Sequence, residues 1–153
     1  MSKNLIAYFT HTGRTRRAAE QIQKAAGGDL FAAEVILPYP QDHNTLIDQA
    51  KVEIEAGYKP VLKTDPPDVS GYDTVFVGSP NWWGTIAPPV ATLLSSVNLA
   101  GKRLIPFVTH GGGGLNRTVA DIKKLAPGAR VEKGLDANLG EKISAYVREL
   151  KLG

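Results

Sequence analysis

The sequence predicts an α/β domain: a parallel sheet of about five strands with helices on both faces. Three observations carry that expectation. Short apolar runs alternate with segments of helical period, the order that crossover connections between parallel strands produce. The run Val75-Phe76-Val77-Gly78 is apolar on both sides of the pleat, as in a strand buried on both faces. Three of the strands end in loops of unusual composition: one rich in threonine, one with paired tryptophans, one with four successive glycines. In sheets of this kind ligands bind outside the carboxyl ends of the strands, where the strand order reverses.

The first strand is the run Leu5 to Phe9, and it turns through Thr10-His11-Thr12-Gly13-Arg14 into a helix over Thr15–Ala26. Thr15, Ala18, Ala19, Ile22 and Ala25 fall on one face of that helix. Leu30–Leu37 reads as the second strand, closed by Pro38 and Pro40. A helix over Asn44–Ala56 follows, with Ile47, Ala50 and Ile54 at helical spacing and Gly57 as its stop. Tyr58–Tyr72 lacks periodicity and reads as a surface connection. The third strand, Asp73–Ser79, ends in the loop Ser79 to Gly84; Pro88 and Pro89 then open a helix with Val90, Leu93, Leu94 and Val97 as its buried stripe.

Lys102–Thr109 is the fourth strand and ends in His110-Gly111-Gly112-Gly113-Gly114. Pro106 is out of place in a central strand, which leaves a bulge or a weakly paired edge neighbour as its setting. Leu115–Ala126 reads as a helix with Leu115, Val119, Ile122 and Leu125 aligned, stopped by Pro127-Gly128. Ala129–Leu135 is a candidate edge strand. Asn138–Leu150 is the last helix, with Leu139, Ile143, Val147 and Leu150 on one face and Asn138 and Glu141 as a capping pair.

With 153 residues, 42% of them hydrophobic, the expectation is a single domain over residues 1–153. No run has the length of a membrane span, and Met1-Ser2-Lys3-Asn4 leads directly into the first strand, so a soluble cytoplasmic protein is expected. The absence of cysteine excludes disulfides, thiol redox chemistry and thiolate metal sites, so any redox role needs a borrowed cofactor. His11, His43 and His110 have no metal-ligand spacing, and no metal is expected. The net charge is +3, with Lys and Arg spread over helices rather than gathered into one long run and no nucleic-acid recognition motif beside them, so no nucleic-acid partner is expected.

The first loop has the composition of a phosphate site. A loop between a parallel strand and the next helix aims unpaired N–H groups at the positive end of the helix dipole. Thr10, Thr12 and Thr15 add hydroxyls, and Gly13 permits close backbone approach. The competing reading is an N-capped turn with Thr12 as the cap. The segment has neither the Gly-x-x-x-x-Gly-Lys-Ser/Thr nor the Gly-x-Gly-x-x-Gly pattern.

Its Thr-x-Thr-Gly-x-Thr pattern resembles the phosphate loop of flavodoxins, which holds the terminal phosphate of FMN, with Arg14 where many members carry Asn. Ser79-Pro80-Asn81-Trp82-Trp83-Gly84-Thr85-Ile86-Ala87-Pro88-Pro89-Val90 looks like the second flavin loop of a group of short flavodoxin-like proteins with Pro-x-Trp-Trp-Gly. Thr109-His110-Gly111-Gly112-Gly113-Gly114 resembles the third loop, which wraps the pyrimidine edge of the flavin with backbone N–H groups. The resemblance covers Leu5 to Leu150 and implies a flavodoxin-like three-layer sandwich of strand order 2-1-3-4-5, FMN as cofactor, and a flavin site at Thr10, His11, Thr12, Gly13, Arg14, Thr15, Pro80, Asn81, Trp82, Trp83, Gly84, Thr109, His110, Gly111, Gly112 and Gly113. Either tryptophan can supply the stacking ring. His110 either tunes or protonates the flavin or is simply solvated.

The short path from Pro127 to the last helix leaves no room for the insertion that interrupts the fifth strand of long-chain flavodoxins. The chain departs from electron-carrier flavodoxins in being basic, which bears on both their usual partners and their very low potential. The expected function is an FMN-binding electron-transfer protein that works with a redox partner protein as a monomer or weak dimer, without a catalytic side chain. The alternative is an FMN-dependent oxidoreductase that takes hydride from NAD(P)H and reduces a quinone or similar small acceptor. A third possibility is a non-redox domain that has lost the cofactor.

Overall fold

The computed structural model describes residues 3–138 and 140–152. The chain runs through β1 (Asn4–Tyr8), α1 (Arg14–Ala26), β2 (Asp29–Ala32), α2 (His43–Ala56), β3 (Thr74–Trp82), β4 (Thr85–Ile86), α3 (Pro88–Ser96), β5 (Arg103–Thr109), α4 (Thr118–Leu125), β6 (Arg130–Val131), β7 (Leu135–Asp136) and, after a single 3-10 turn, α5 (Ile143–Leu150). The main sheet has the order β2-β1-β3-β5-β6, all parallel, and β7 continues the edge beside β5. Counting β6 and β7 as one broken strand gives the expected order 2-1-3-4-5.

Alternation along the central strands separates two cores. Leu5 and Ala7 of β1 with Val75 and Val77 of β3 face Val90, Leu93 and Leu94 of α3 and Ile122 of α4. Ile6, Tyr8, Phe76, Ile105 and Phe107 face Ala18, Ala19 and Ile22 of α1 and Ile143, Val147 and Leu150 of α5. The result is three layers, with every residue of β1 buried. At Gly78 an added Cβ would stand 2.2 Å from the Phe107 ring, so the phenyl group occupies the space a side chain would need.

Several boundaries differ from expectation for identifiable reasons. The second strand ends at Ala32 rather than Leu37, because Val35 leaves β1 to bridge Leu62 in antiparallel fashion. That bridge, with Lys63 N–H donating to Glu34 O at 2.7 Å, gives structure to the segment expected to be a bare connection. In α1 Ala25 is exposed, and in α2 Leu46 joins Ala50 as the buried pair while Ile47 and Ile54 are only half-buried. Helix α4 starts at Thr118, three residues after Leu115, because Asn116 has φ 45° and breaks the helical path. Asn138 does not cap α5, and Leu139 lies outside the described residues.

Pro106 finds the second of its two expected settings. The carbonyls of Leu104 and Val108 accept N–H groups of Glu132 and Ala137 on the edge side. Pro106, midway between them, turns its nitrogen to the same side, where residues 132–134 separate β6 from β7. The missing donor faces the break in the edge strand.

Candidate functional site

The three loops meet at the carboxyl ends of β1, β3 and β5. Thr15 Oγ1 of the first and Thr109 Oγ1 of the third lie 2.8 Å apart in a buried hydroxyl pair, although 94 residues separate them. Asn81 ties the second loop to the third, donating from Nδ2 to Gly114 O at 2.8 Å while its Oδ1 accepts the Gly84 N–H at 2.9 Å. The Arg117 N–H donates to Gly84 O at 2.8 Å.

In the first loop Gly13, at φ 93°, is the N-cap of α1 and provides no side-chain cap. Thr12 is exposed, so the N-capped turn with Thr12 as the cap does not form. Thr10 Oγ1 accepts the Gly13 N–H at 3.0 Å. The Arg17 N–H reaches Gly13 O at 3.0 Å, which leaves the N–H groups of Arg14, Thr15 and Arg16 at the open end of the helix. Arg14 and Arg17 border a cavity of about 210 Å³ with Thr109 and Asn138.

The second loop is a hairpin. Asn81 pairs with Ile86 and Trp82 with Thr85, leaving Trp83 and Gly84 as a two-residue connection. Their φ values of 57° and 82° are those of the left-handed turn that matches the twist of paired strands. Glycine or asparagine is the ordinary occupant there; a tryptophan in that conformation is strained by about 1–2 kcal/mol. Buried Ser79 fixes the base of the hairpin, its Oγ accepting the Ala87 N–H at 2.9 Å. Trp82 and Trp83 then diverge. Trp82 packs edge-on against Phe9, Tyr39 and His11, at ring-centroid distances of 5.6, 5.0 and 6.1 Å. Trp83 is 48% exposed, donates its indole N–H to Ile47 O at 2.9 Å and carries Lys51 Nζ 5.4 Å from its ring. Both line a cleft of about 340 Å³ with Asn81 and Gly111, closed on the far side by His43, Leu46, Ile47 and Ala50 of α2.

In the third loop His110 turns away from the cleft. Its Nε2 lies 2.9 Å from both carboxylate oxygens of Asp136, and its Nδ1 accepts the Gly112 N–H at 3.0 Å. With Nδ1 accepting, Nε2 is the ring nitrogen that donates to Asp136. Asn138 closes the arrangement: its Oδ1 accepts the His110 N–H at 2.8 Å and its Nδ2 donates to His110 O at 2.6 Å. Burial alone would raise the Asp136 pKa; the bonds from His110 and from the Asn138 N–H outweigh it and hold the group below the usual carboxylate range.

These loops sit at the switch point between β1 and β3, on a sheet whose order and three-layer packing are now established. The family model described as Flavodoxin matches residues 3–149. The chain belongs to the flavodoxin family. Among solved structures similar to this flavodoxin-family chain, a candidate flavoprotein from Bacteroides eggerthii DSM 20697 is 31% identical over 100% of both chains, with a TM-score of 0.88. A second, from Bacteroides uniformis ATCC 8492, is 26% identical over 96% of this chain and 98% of its own, with a TM-score of 0.85. A flavoprotein from Lactobacillus acidophilus NCFM, crystallised in complex with FMN, shares the fold at 24% identity and a TM-score of 0.79, covering 95% of this chain and 99% of its own. No curated protein matches the chain.

Around the candidate site, Ser79, Asp136, His43 and Leu46 have no site role in the sequence reading, while Asn138 is expected there to cap the last helix and Ile47 to lie on the stripe of α2. For Asp136 and Asn138 the only signal is two short polar side chains just past an apolar edge strand, which is also what a helix start looks like. For α2 no local signal exists, because its position over the cleft is set by the hairpin.

Proposed function

We propose that the chain binds FMN at the carboxyl ends of β1, β3 and β5 and serves as an electron-transfer flavoprotein that passes electrons to or from a redox partner protein. The observation that carries this reading is the N-terminus of α1, which has no side-chain cap and opens at the point where the strand order reverses. The residues there fit a phosphate monoester. The N–H groups of Arg14, Thr15 and Arg16 would donate to it, the hydroxyls of Thr10 and Thr12 would add to them, and Arg14 would neutralise charge. Without an anion, each arginine in that first turn costs roughly 0.3–1 kcal/mol against the helix dipole; a bound dianion reverses the sign.

The cleft beside Trp82, Trp83, Asn81 and Gly111 would hold the flavin ring, with the backbone N–H of Gly111 available to its polar edge. The N–H of Gly112 is already taken by His110. Bound FMN supplies one- and two-electron redox chemistry. The chain binds it, orients it and limits water, and no side chain is needed as an acid or base. The test is a visible absorption spectrum after FMN has been added and the excess removed: a retained flavin spectrum supports the reading, and its absence refutes it.

The second reading, an FMN-dependent NAD(P)H oxidoreductase acting on a quinone or similar small acceptor, is favoured by one feature. A cavity of about 560 Å³ lies beside the first loop, bordered by Thr10, His11, Arg16, Tyr39 and Lys63. It has room for part of a dinucleotide, with Arg16 and Lys63 as cations and Glu34 as an anion on its border. Anaerobic NAD(P)H separates the two: bleaching of the flavin without any other protein selects the oxidoreductase, and a flavin that stays oxidised until a partner or chemical reductant is added selects the carrier.

A further inference from the structure

The excess of basic over acidic residues in this chain falls in three segments at one end. The segments 9–17, 79–87 and 109–117, which span the three loops and the residues beside them, contain Arg14, Arg16, Arg17 and Arg117, four of the 18 Lys and Arg, and none of the 15 Asp and Glu. Over the remainder of the chain acidic groups therefore outnumber basic ones by one, and the whole +3 excess resides in these segments. All four arginines are exposed, with Arg16 also 3.7 Å from Glu20 one helical turn further on. Phosphate bound at α1 would offset about two of these charges and leave the mouth of the site positive.

The arginines do not converge on one point. Arg14, Arg16 and Arg17 follow β1 and Arg117 follows β5, which lie on opposite sides of β3 and are separated by about 10 Å across two strand spacings. Between them the β3–β4 hairpin extends past the end of β1 and presents Trp83 at its tip. The indole is held by its bond to Ile47 O, has Lys51 over its ring, and has Arg117 Nη2 3.4 Å from its backbone carbonyl. A rigid exposed tryptophan flanked by arginine has the composition of an interface anchor. The arginines on its two flanks would steer and orient an oppositely charged face.

We propose that this end of the molecule docks an electron-transfer protein that presents carboxylates around its own redox centre, with Trp83 as the central contact and Arg16, Arg17 and Arg117 as the surrounding charges. The inference rests on the flavoprotein reading for its purpose but not for its measurement. A projecting anchor with charges on two flanks suits a protein surface; a dinucleotide would be held in a concavity.

The probe is a two-iron ferredoxin with a strongly acidic surface, immobilised and titrated with FMN-treated protein at increasing NaCl, while absorbance reports flavin content separately. Binding should weaken steadily with salt, fall about tenfold or more for Arg117→Glu and for Arg16→Glu, fall for Trp83→Ala, and be unchanged for Lys24→Glu at the far end of α1. Equal losses for Lys24→Glu and Arg117→Glu, salt-independent binding, or displacement of the ferredoxin by NADPH at its own binding concentration would overturn the proposal, the last in favour of a dinucleotide site. Ferredoxin binding with no retained flavin would refute the FMN reading and leave the docking face standing.

Discussion

His110 Nε2 lies 2.9 Å from each carboxylate oxygen of Asp136, and this contact fixes which way the glycine-rich loop leaves β5. Removing the carboxylate in Asp136→Ala frees the imidazole, and with it the acceptor that holds the Gly112 N–H. The expected loss is about 1–2 kcal/mol of stability together with faster amide hydrogen exchange at Gly111–Gly114. The pH dependence has a defined sign. The folded-state pKa of Asp136 is depressed, so its contribution is present above the ordinary carboxylate pKa of about 3.9 and disappears as pH falls through the lower folded value. Melting temperatures measured between about pH 5 and pH 2 should fall less steeply for Asp136→Ala than for the unchanged chain.

The first loop separates two kinds of threonine. Thr12 is exposed, and Thr12→Ala should leave stability within about 0.5 kcal/mol while weakening FMN more than riboflavin. Thr15 is paired with Thr109 in the interior, so Thr15→Ala should lower stability by about 1 kcal/mol or more as well as FMN affinity. Changing Thr10, Thr12 and Thr15 together should reduce FMN binding far more than riboflavin binding. Equal losses for the two ligands would show that these hydroxyls do not read phosphate.

The tryptophans should divide stability from ligand response. Trp82→Ala removes a ring packed against Phe9, Tyr39 and His11 and should cost about 3 kcal/mol in urea unfolding. Trp83→Asn relieves a side chain from φ 57° while losing the bond to Ile47, and the two effects should leave stability within about 1 kcal/mol. Flavin fluorescence quenching in each variant identifies the stacking ring. No change in either would remove both from the site.

Gly78 has no space for a methyl group. Gly78→Ala forces its Cβ against Phe107 and should destabilise by about 3 kcal/mol. Combining it with Phe107→Leu should recover part of that loss, and a double variant as unstable as the sum of the single ones would show that the two sites do not share this space.

Tyr39 donates its hydroxyl to Glu53 Oε1 at 2.6 Å. Burial first, then the bond and the charge of Glu53, push its pKa far above the ordinary tyrosine value. A raised folded-state pKa stabilises below the unfolded value of about 10 and is lost only as pH rises through the folded one. Ultraviolet titration should therefore find a tyrosine that ionises only as the protein unfolds in alkali, absent from Tyr39→Phe. That variant should also lose about 1 kcal/mol at neutral pH.

The parts of the fold legible in the sequence are those set by local pattern. The apolar run of β1, the spacing of Ala18, Ala19 and Ile22, and the prolines at the start of α3 each determine their own element. What escaped depends on residues far away. Val35 leaves the expected strand because Leu62 offers a partner, and Asn138 bonds to His110, 28 residues earlier, in place of the adjacent helix. The site follows the same division. The three loops of the candidate site stand out by composition, whereas the arrangement within them is set by tertiary contacts: the direction of each tryptophan, the partner of Thr15, the rotation of His110.

The position of Pro106 matters for the molecule among its neighbours. A sheet that ends in a long straight strand offers a row of open hydrogen-bonding groups on which another copy can add. Here the strand beyond β5 is divided into two pieces of two residues each, and the proline removes the donor that a continuous strand would use between them. Sheet-to-sheet polymerisation is thereby denied a template along that rim.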